Sequence, residues 1–293
     1  MTIDIAVVPV AGHGTRLLPS TKSQPKEMLP VGRKPVVQYV VEELTQSGIK
    51  KLLFVTGASK TSIENHFDID DGLTNYLRES GREDELQQLA FERHDVEYFY
   101  TRQRRQLGLG HAVLCAKSLI GQQPFVVALG DSIIGLNAQS DIVHRMVDEF
   151  ESSKADIVVA FEEVAKADVV RYGIAQPAGE IGDRFALQDL IEKPSVDEAP
   201  SQLAVAARYV FSASIFDALN ETQPGKGGEI QLTDAIRILL KRGAKGVGMR
   251  LGDDERRFDI GNYDSYFKAF VEFALADPQY GESLKAHLQA LVD

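Results

Sequence analysis

Along the first half of the chain, short unbroken apolar runs alternate with stretches whose apolar positions recur every three or four residues. Ile5–Val10 is one such run, the pattern of a strand buried on both faces. Beyond a glycine-rich segment, Val36, Val37, Val40, Val41 and Leu44 keep helical spacing, Pro35 can open that helix, and Gly48 is placed to end it. Leu52–Val55, Val96–Tyr100, Phe125–Leu129 and Ala155–Phe161 read as further strands, with helical patterns at His111–Leu119 and Ile142–Glu151. The charged stretch Asp68–His94 interrupts this rhythm and reads as a helical insert on the surface. Strand and helix in alternation predict an α/β fold with a central, mostly parallel sheet covered by helices.

Past Ala165 the texture changes. Tyr172–Gln176, Phe185–Ile191 and Ala204–Phe211 are strand-like, and a turn at Ala178–Gly182 separates the first two. A helix is expected from near Glu229 to Lys241, a strand at Lys245–Leu251, and helices at Tyr263–Ala276 and Glu282–Val292. No fixed-period repeat and no Ser/Pro linker divides the chain. The pattern predicts one domain over residues 1–293, with a second half that elaborates the first.

Composition narrows the chemistry. The 293 residues are 44% hydrophobic and 26% charged, ordinary for a folded chain with a large core. A formal charge of −11 has the wrong sign for a nucleic-acid binder, so any phosphate must be gripped by a few placed cations. The single cysteine, Cys115, rules out an intrachain disulfide and a cysteine zinc cluster, and it fits a reducing, cytoplasmic setting. At the start, Met1–Gly12 has no basic stretch before its apolar run and does not read as a signal peptide. No apolar run approaches the roughly 18 residues of a membrane span.

The first strand-to-helix connection carries the strongest signal. Ala11-Gly12-His13-Gly14-Thr15-Arg16 is followed by Pro25-Lys26-Glu27-Met28-Leu29-Pro30. In a parallel sheet this loop lies outside the carboxyl ends of the strands, where ligands bind. Its glycines let backbone N–H groups approach a phosphate, while Arg16 offers a planar fork and Lys26 a mobile point charge. A dinucleotide fingerprint needs glycine where Leu17 stands, and no Walker Gly-Lys-Ser/Thr occurs. The six histidines form no His-x-x-x-His pair, and there is no Gly-x-Ser-x-Gly elbow. Arg102, Arg104 and Arg105 form the one local basic cluster and read as a solvated loop rather than a lid.

These motifs resemble the sugar-1-phosphate nucleotidyltransferases. Lys34-Pro35, Gln38–Glu43, Gly108-Leu109-Gly110-His111-Ala112 and Glu229–Ile236 narrow the resemblance to bacterial UTP–glucose-1-phosphate uridylyltransferases, over about residues 4–275. It implies a Rossmann-like three-layer unit that converts UTP and glucose 1-phosphate to UDP-glucose and pyrophosphate with Mg2+, working as a dimer or tetramer. It also implies a nucleotide-binding half over about 1–165, a sugar-binding half over about 166–260 and C-terminal helices over 261–293. Arg16, Lys26, Asp131 and Lys193 would then be catalytic, with the metal on Asp131 and Asp259. The nucleotide would meet Ala11, Gly12, Gly14, Thr15, Gln103 and Gly108, and the sugar Gly173, Glu192 and Lys193. By residue type alone a turn residue and a metal ligand are even readings of Asp131, whereas Asp259 reads as an ordinary turn residue and Glu192-Lys193 as an ordinary solvated strand end. The pattern departs from the family at Gly130, usually proline, and at Tyr263 and Ser265, usually lysine and glycine. A thymidylyltransferase and a catalytically silent paralogue are the rival readings. Arg16, Lys26 and both aspartates are present, which speaks against the silent one.

Overall fold

The computed structural model describes residues 3–93 and 95–292, so Met1, Thr2, His94 and Asp293 lie outside the described residues. The apolar runs become nine strands of one sheet: β1 (Ile5–Pro9), β2 (Lys51–Thr56), β3 (Glu97–Arg102), β4 (Phe125–Ala128), β5 (Ile157–Glu163), β6 (Gly173–Ala178), β7 (Arg184–Glu192), β8 (Leu203–Phe211) and β9 (Gly246–Arg250). Their spatial order is β3-β2-β1-β4-β8-β5-β9-β7-β6. Parallel pairing joins β3, β2, β1 and β4, and also β5 and β9; β8 and β7 run antiparallel to their neighbours. The sheet is therefore mixed and mostly parallel, as the alternation predicts.

Side-chain alternation along each strand divides the core in two. On one face Ile5 and Val7 join Val127, Val159 and the apolar sides of helices Leu109–Leu114, Ile215–Glu221 and Leu232–Lys241. On the other, Ala6 and Val8 join Val126, Val158 and helices Val36–Gln46, Thr61–Phe67 and Ile142–Ser153. Two covered faces make the three layers. The charged insert is helical, at Asp71–Glu79 and Glu83–Gln87 with a 3-10 turn at Ala90–Arg93.

Some boundaries differ for physical reasons. The helical pattern at His111–Leu119 splits into Leu109–Leu114 and Lys117–Ile120. The helix expected from Glu229 starts at Leu232, because the preceding segment is extended: Ile230 N donates to Leu107 O at 2.7 Å and Ile230 O accepts from Gly110 N at 2.9 Å. That crossing explains the glycines of the Gly108–Ala112 motif. A Cβ on Gly108, whose φ is +98°, would sit 2.8 Å from Ile230 O, and one on Gly110 would sit equally close. A two-stranded ladder was not legible in the pattern. Arg257–Asp259 pairs antiparallel with Ser132–Ile134 in the register Asp259 to Ser132. Each piece has three residues, too few to display a period.

Candidate active site

The carboxyl ends of β1, β2 and β4 share one rim, and a cleft of about 480 Å³ opens there. Ala11, Gly12, Gly14, Thr15, Arg16, Lys26, Gln103, Gly108 and Asp131 all line it. The loop after β1 supplies the first five, and a short turn at Lys26–Met28 supplies Lys26. Gln106 completes the wall by donating Nε2 to Ala11 O at 2.6 Å, a contact the sequence reading missed. Arg102, Arg104 and Arg105 are exposed, as a solvated loop would be.

Charges alternate through the floor of this cleft. Lys60 Nζ donates to Glu27 Oε2 at 2.8 Å, both residues being buried, and Lys26 Nζ pairs with Asp131 Oδ2. Burial opposes the charge on Lys26, but Asp131, Glu27 and Asp259 together outweigh it and hold the ammonium above the usual lysine range. Asp131 is likewise penalised by burial, yet Lys26 keeps its carboxyl below the usual aspartate range. Asp259 is pushed up, first by burial and then by repulsion from Asp131.

The small ladder brings these two aspartates together, and Ile260 N donates to Asp131 O at 3.0 Å to close it. Two half-buried carboxylates that repel one another are a donor set that a divalent cation relieves. Among the described residues no third Asp, Glu, His or Cys completes a cluster. That composition suits magnesium, which commonly takes one or two carboxylates and fills its shell with substrate phosphate and water. Arg257, on the same ladder, donates Nε to Glu162 Oε1 at 2.5 Å and lies 4.6 Å over the Tyr172 ring.

Gly261 is fitted between Asp259 and Arg16. A Cβ there would meet Asp259 Oδ2 at 2.9 Å and Arg16 Nη2 at 3.1 Å. Both are ends of side chains that can yield, so Gly261→Ala is expected to keep its melting temperature. Turnover should fall about a hundredfold, since displacements of an ångström cost that much when groups must be aligned. Thermal melts and steady-state kinetics on one preparation check both halves.

A second cleft of about 240 Å³ adjoins the first, sharing Leu109, Leu129 and Glu229 with it. Gly173, Glu192 and Lys193 line it. Neighbouring residues of a regular strand face opposite ways, but β7 ends at Glu192 and Lys193 turns to φ +45°, in the left-handed region. The turn brings Lys193 Nζ to 3.0 Å from Glu192 Oε1. Thr233 Oγ1, from the Glu229–Ile236 motif, donates to Glu192 Oε2 at 2.7 Å. Tyr263, where the family usually has lysine, donates its hydroxyl to Leu17 O at 3.0 Å and lies 2.9 Å from Ser20 Oγ. It ties the phosphate-loop side of the cleft to the C-terminal helix Tyr263–Leu275.

Arg208 supports the site from beneath. It is fully buried in β8, its Nη2 and Nε bind the two Glu43 oxygens at 2.6 and 3.0 Å, and Nη2 also donates to Ser132 O at 2.9 Å. A lone arginine inside the apolar run Leu203–Phe211 was the signal that could have found it.

A cationic glycine loop on a sheet rim, with Asp131 beside it and a second pocket adjoining, is the layout of a transferase that handles phosphorylated compounds. The Nucleotidyl transferase family model matches residues 5–274, and the chain belongs to that family. It is similar to the UTP–glucose-1-phosphate uridylyltransferase YngB of Bacillus subtilis (strain 168), with 42% identity over 287 residues, covering 98% of this chain and 95% of the relative. Among solved structures it is similar to a UTP-bound UGPase from Acinetobacter baumannii, at 38% identity and TM-score 0.89, covering 98% and 99% of the two chains. It is also similar to a UDP-glucose pyrophosphorylase complexed with UDP-glucose, at 35% identity and TM-score 0.83, covering 92% and 98%.

Proposed function

We propose that this chain transfers the uridylyl group of UTP to glucose 1-phosphate, releasing pyrophosphate and giving UDP-glucose. The observation that carries the reading is that the two clefts adjoin, sharing Leu109, Leu129 and Glu229, with Asp131 in the wall of the first. One cleft has the glycine loop, Arg16 and Lys26 for a triphosphate; the other has Glu192 for hydroxyls and Lys193 for a phosphate. In this reading about residues 1–165 serve the nucleotide and about 166–260 the sugar. The relatives' names and bound compounds support the same assignment.

The chemistry needs no general base. A sugar phosphate has a second pKa of about 6 and is largely dianionic at neutral pH, so it can attack the α-phosphorus as it stands. The protein must bring two polyanions together and steady the departing pyrophosphate. Arg16 and Lys26 are placed to neutralise the triphosphate, and Lys193 the attacking phosphate. Asp131 and Asp259 would hold magnesium, which when bound neutralises phosphate oxygens as a Lewis acid. Lys26 also steadies Asp131 in its ionised form, ready for a cation.

Pyrophosphate release, measured for UTP, dTTP, CTP, ATP and GTP against glucose, galactose and mannose 1-phosphates, tests the reading. UTP with glucose 1-phosphate should be the best pair, chelator should abolish turnover and magnesium should restore it. Full activity in excess chelator removes the metal role, and a preference for dTTP replaces the base assignment. The dimer or tetramer implied by the resemblance belongs to the same proposal and is decided by sedimentation equilibrium.

The sugar anchors separate by kinetics. Glu192→Gln should raise KM for glucose 1-phosphate about tenfold and blur the choice among hexoses, since a hydrogen bond to a charged group is worth about 1.5–3 kcal/mol. Lys193→Ala should lower kcat/KM for all three sugar phosphates alike, because the phosphate is common to them. The opposite pattern exchanges the roles.

A further inference from the structure

We propose that His111 selects the base of the nucleotide, without touching it, by occupying the second N–H of a Gln103 amide whose first N–H is held by Gly108 O. The proposal rests on the uridylyl-transfer reading and concerns how that site tells uracil from cytosine. Gln103 is buried in the wall of the nucleotide cleft. Its Nε2 lies 2.9 Å from Gly108 O and 3.0 Å from His111 Nδ1. A carbonyl oxygen can only accept, so the amide must turn its NH2 toward Gly108. The same NH2 faces His111, so Nδ1 must be the acceptor and the ring proton must sit on Nε2. Cys115 Sγ lies 3.9 Å from Nδ1, and its thiol can donate but competes poorly as an acceptor there. Burial lowers the pKa of His111, which favours the neutral ring this geometry requires.

Both amide protons are thereby engaged, and Gln103 offers a ligand only its Oε1. A side-chain amide in isolation presents a donor and an acceptor alike, so this is a restriction the residue type does not reveal. A fixed acceptor pairs with N3–H of uracil and faces a lone pair at N3 of cytosine. Sites built around one hydrogen bond reject the base that cannot make it. His111 is thus a positioning residue, one helical turn into the segment that Gly108 opens.

The test measures kcat/KM for UTP and CTP at saturating glucose 1-phosphate and magnesium. His111→Leu should lower kcat/KM for UTP about tenfold, chiefly through KM, and shrink the UTP-to-CTP ratio by a similar factor, the size expected when one hydrogen bond is lost. His111→Asn, whose Oδ1 can accept in place of Nδ1, should restore most of the ratio. An unchanged ratio in His111→Leu, or no recovery in His111→Asn, overturns the proposal. Should the leucine variant fail to fold, nitrogen NMR of the wild-type histidines decides: an Nε2–H tautomer is expected at His111, and an Nδ1–H tautomer overturns it. A wild type that prefers neither pyrimidine sinks the uridylyl reading instead, and the tautomer measurement still tests the geometry.

Discussion

Replacing Lys26 with alanine is expected to lower kcat roughly a thousandfold or more, with the chain still folded. The ammonium stabilises charge that appears on the departing pyrophosphate, and such preorganised charges act mainly in the transition state. The loss should not become a collapse of the fold, because Lys60 still neutralises the buried Glu27 at 2.8 Å. Arg16→Ala should behave similarly, since its guanidinium lies beside Asp259 across Gly261. Initial rates at saturating UTP, together with a thermal melt, measure the effect. A change confined to KM for UTP would assign both cations to ground-state binding alone.

Arg208→Ala should produce the largest loss of stability, about 3–5 kcal/mol, because it leaves the Glu43 carboxylate buried and uncompensated. Glu43 and Arg208 are both fully buried, so water cannot take over the missing partner. Burial already holds the Glu43 pKa above the usual range despite the arginine. Removing both charges, as in Glu43→Leu with Arg208→Met, should recover much of the stability. Activity should remain reduced even then, because Ser132 O and Ala207 O lose their donor immediately after Asp131 and within β8. Urea titration of the two variants beside the wild type gives the comparison. A double variant as unstable as Arg208→Ala alone would show that the arginine acts through those carbonyls rather than the ion pair.

The parts of this molecule that could be read from the chain are those governed by local rules. Ile5–Val10 and Phe125–Leu129 read as buried strands because every residue is apolar, and the glycines and cations between β1 and Val36 point to a phosphate site more than to packing. What escaped depends on partners distant in sequence. Nothing near Arg257–Asp259 reveals that it pairs with Ser132–Ile134, and only that pairing brings Asp259 to Asp131. Lys193 could not be aimed until its left-handed φ was known. The type of Gln103 leaves both donor and acceptor open to a ligand, and only the fold shows Gly108 O and His111 against its donor side. Arg208 was hidden by the opposite logic: a charged residue in an apolar run looks like an interruption until its carboxylate is found on the helix Val36–Gln46.

The late ladder also sets an order of events during synthesis. All nine strands of the sheet have been synthesised once Arg250 is added, whereas Asp259 is still to come. The chain up to Arg250 therefore contains every strand of the sheet but lacks the partner that Asp131 meets. Only when Arg257–Asp259 docks on Ser132–Ile134 does the pair form. Pairing of the sheet and assembly of the carboxylate pair thus draw on different stretches of chain, and the second waits for the first.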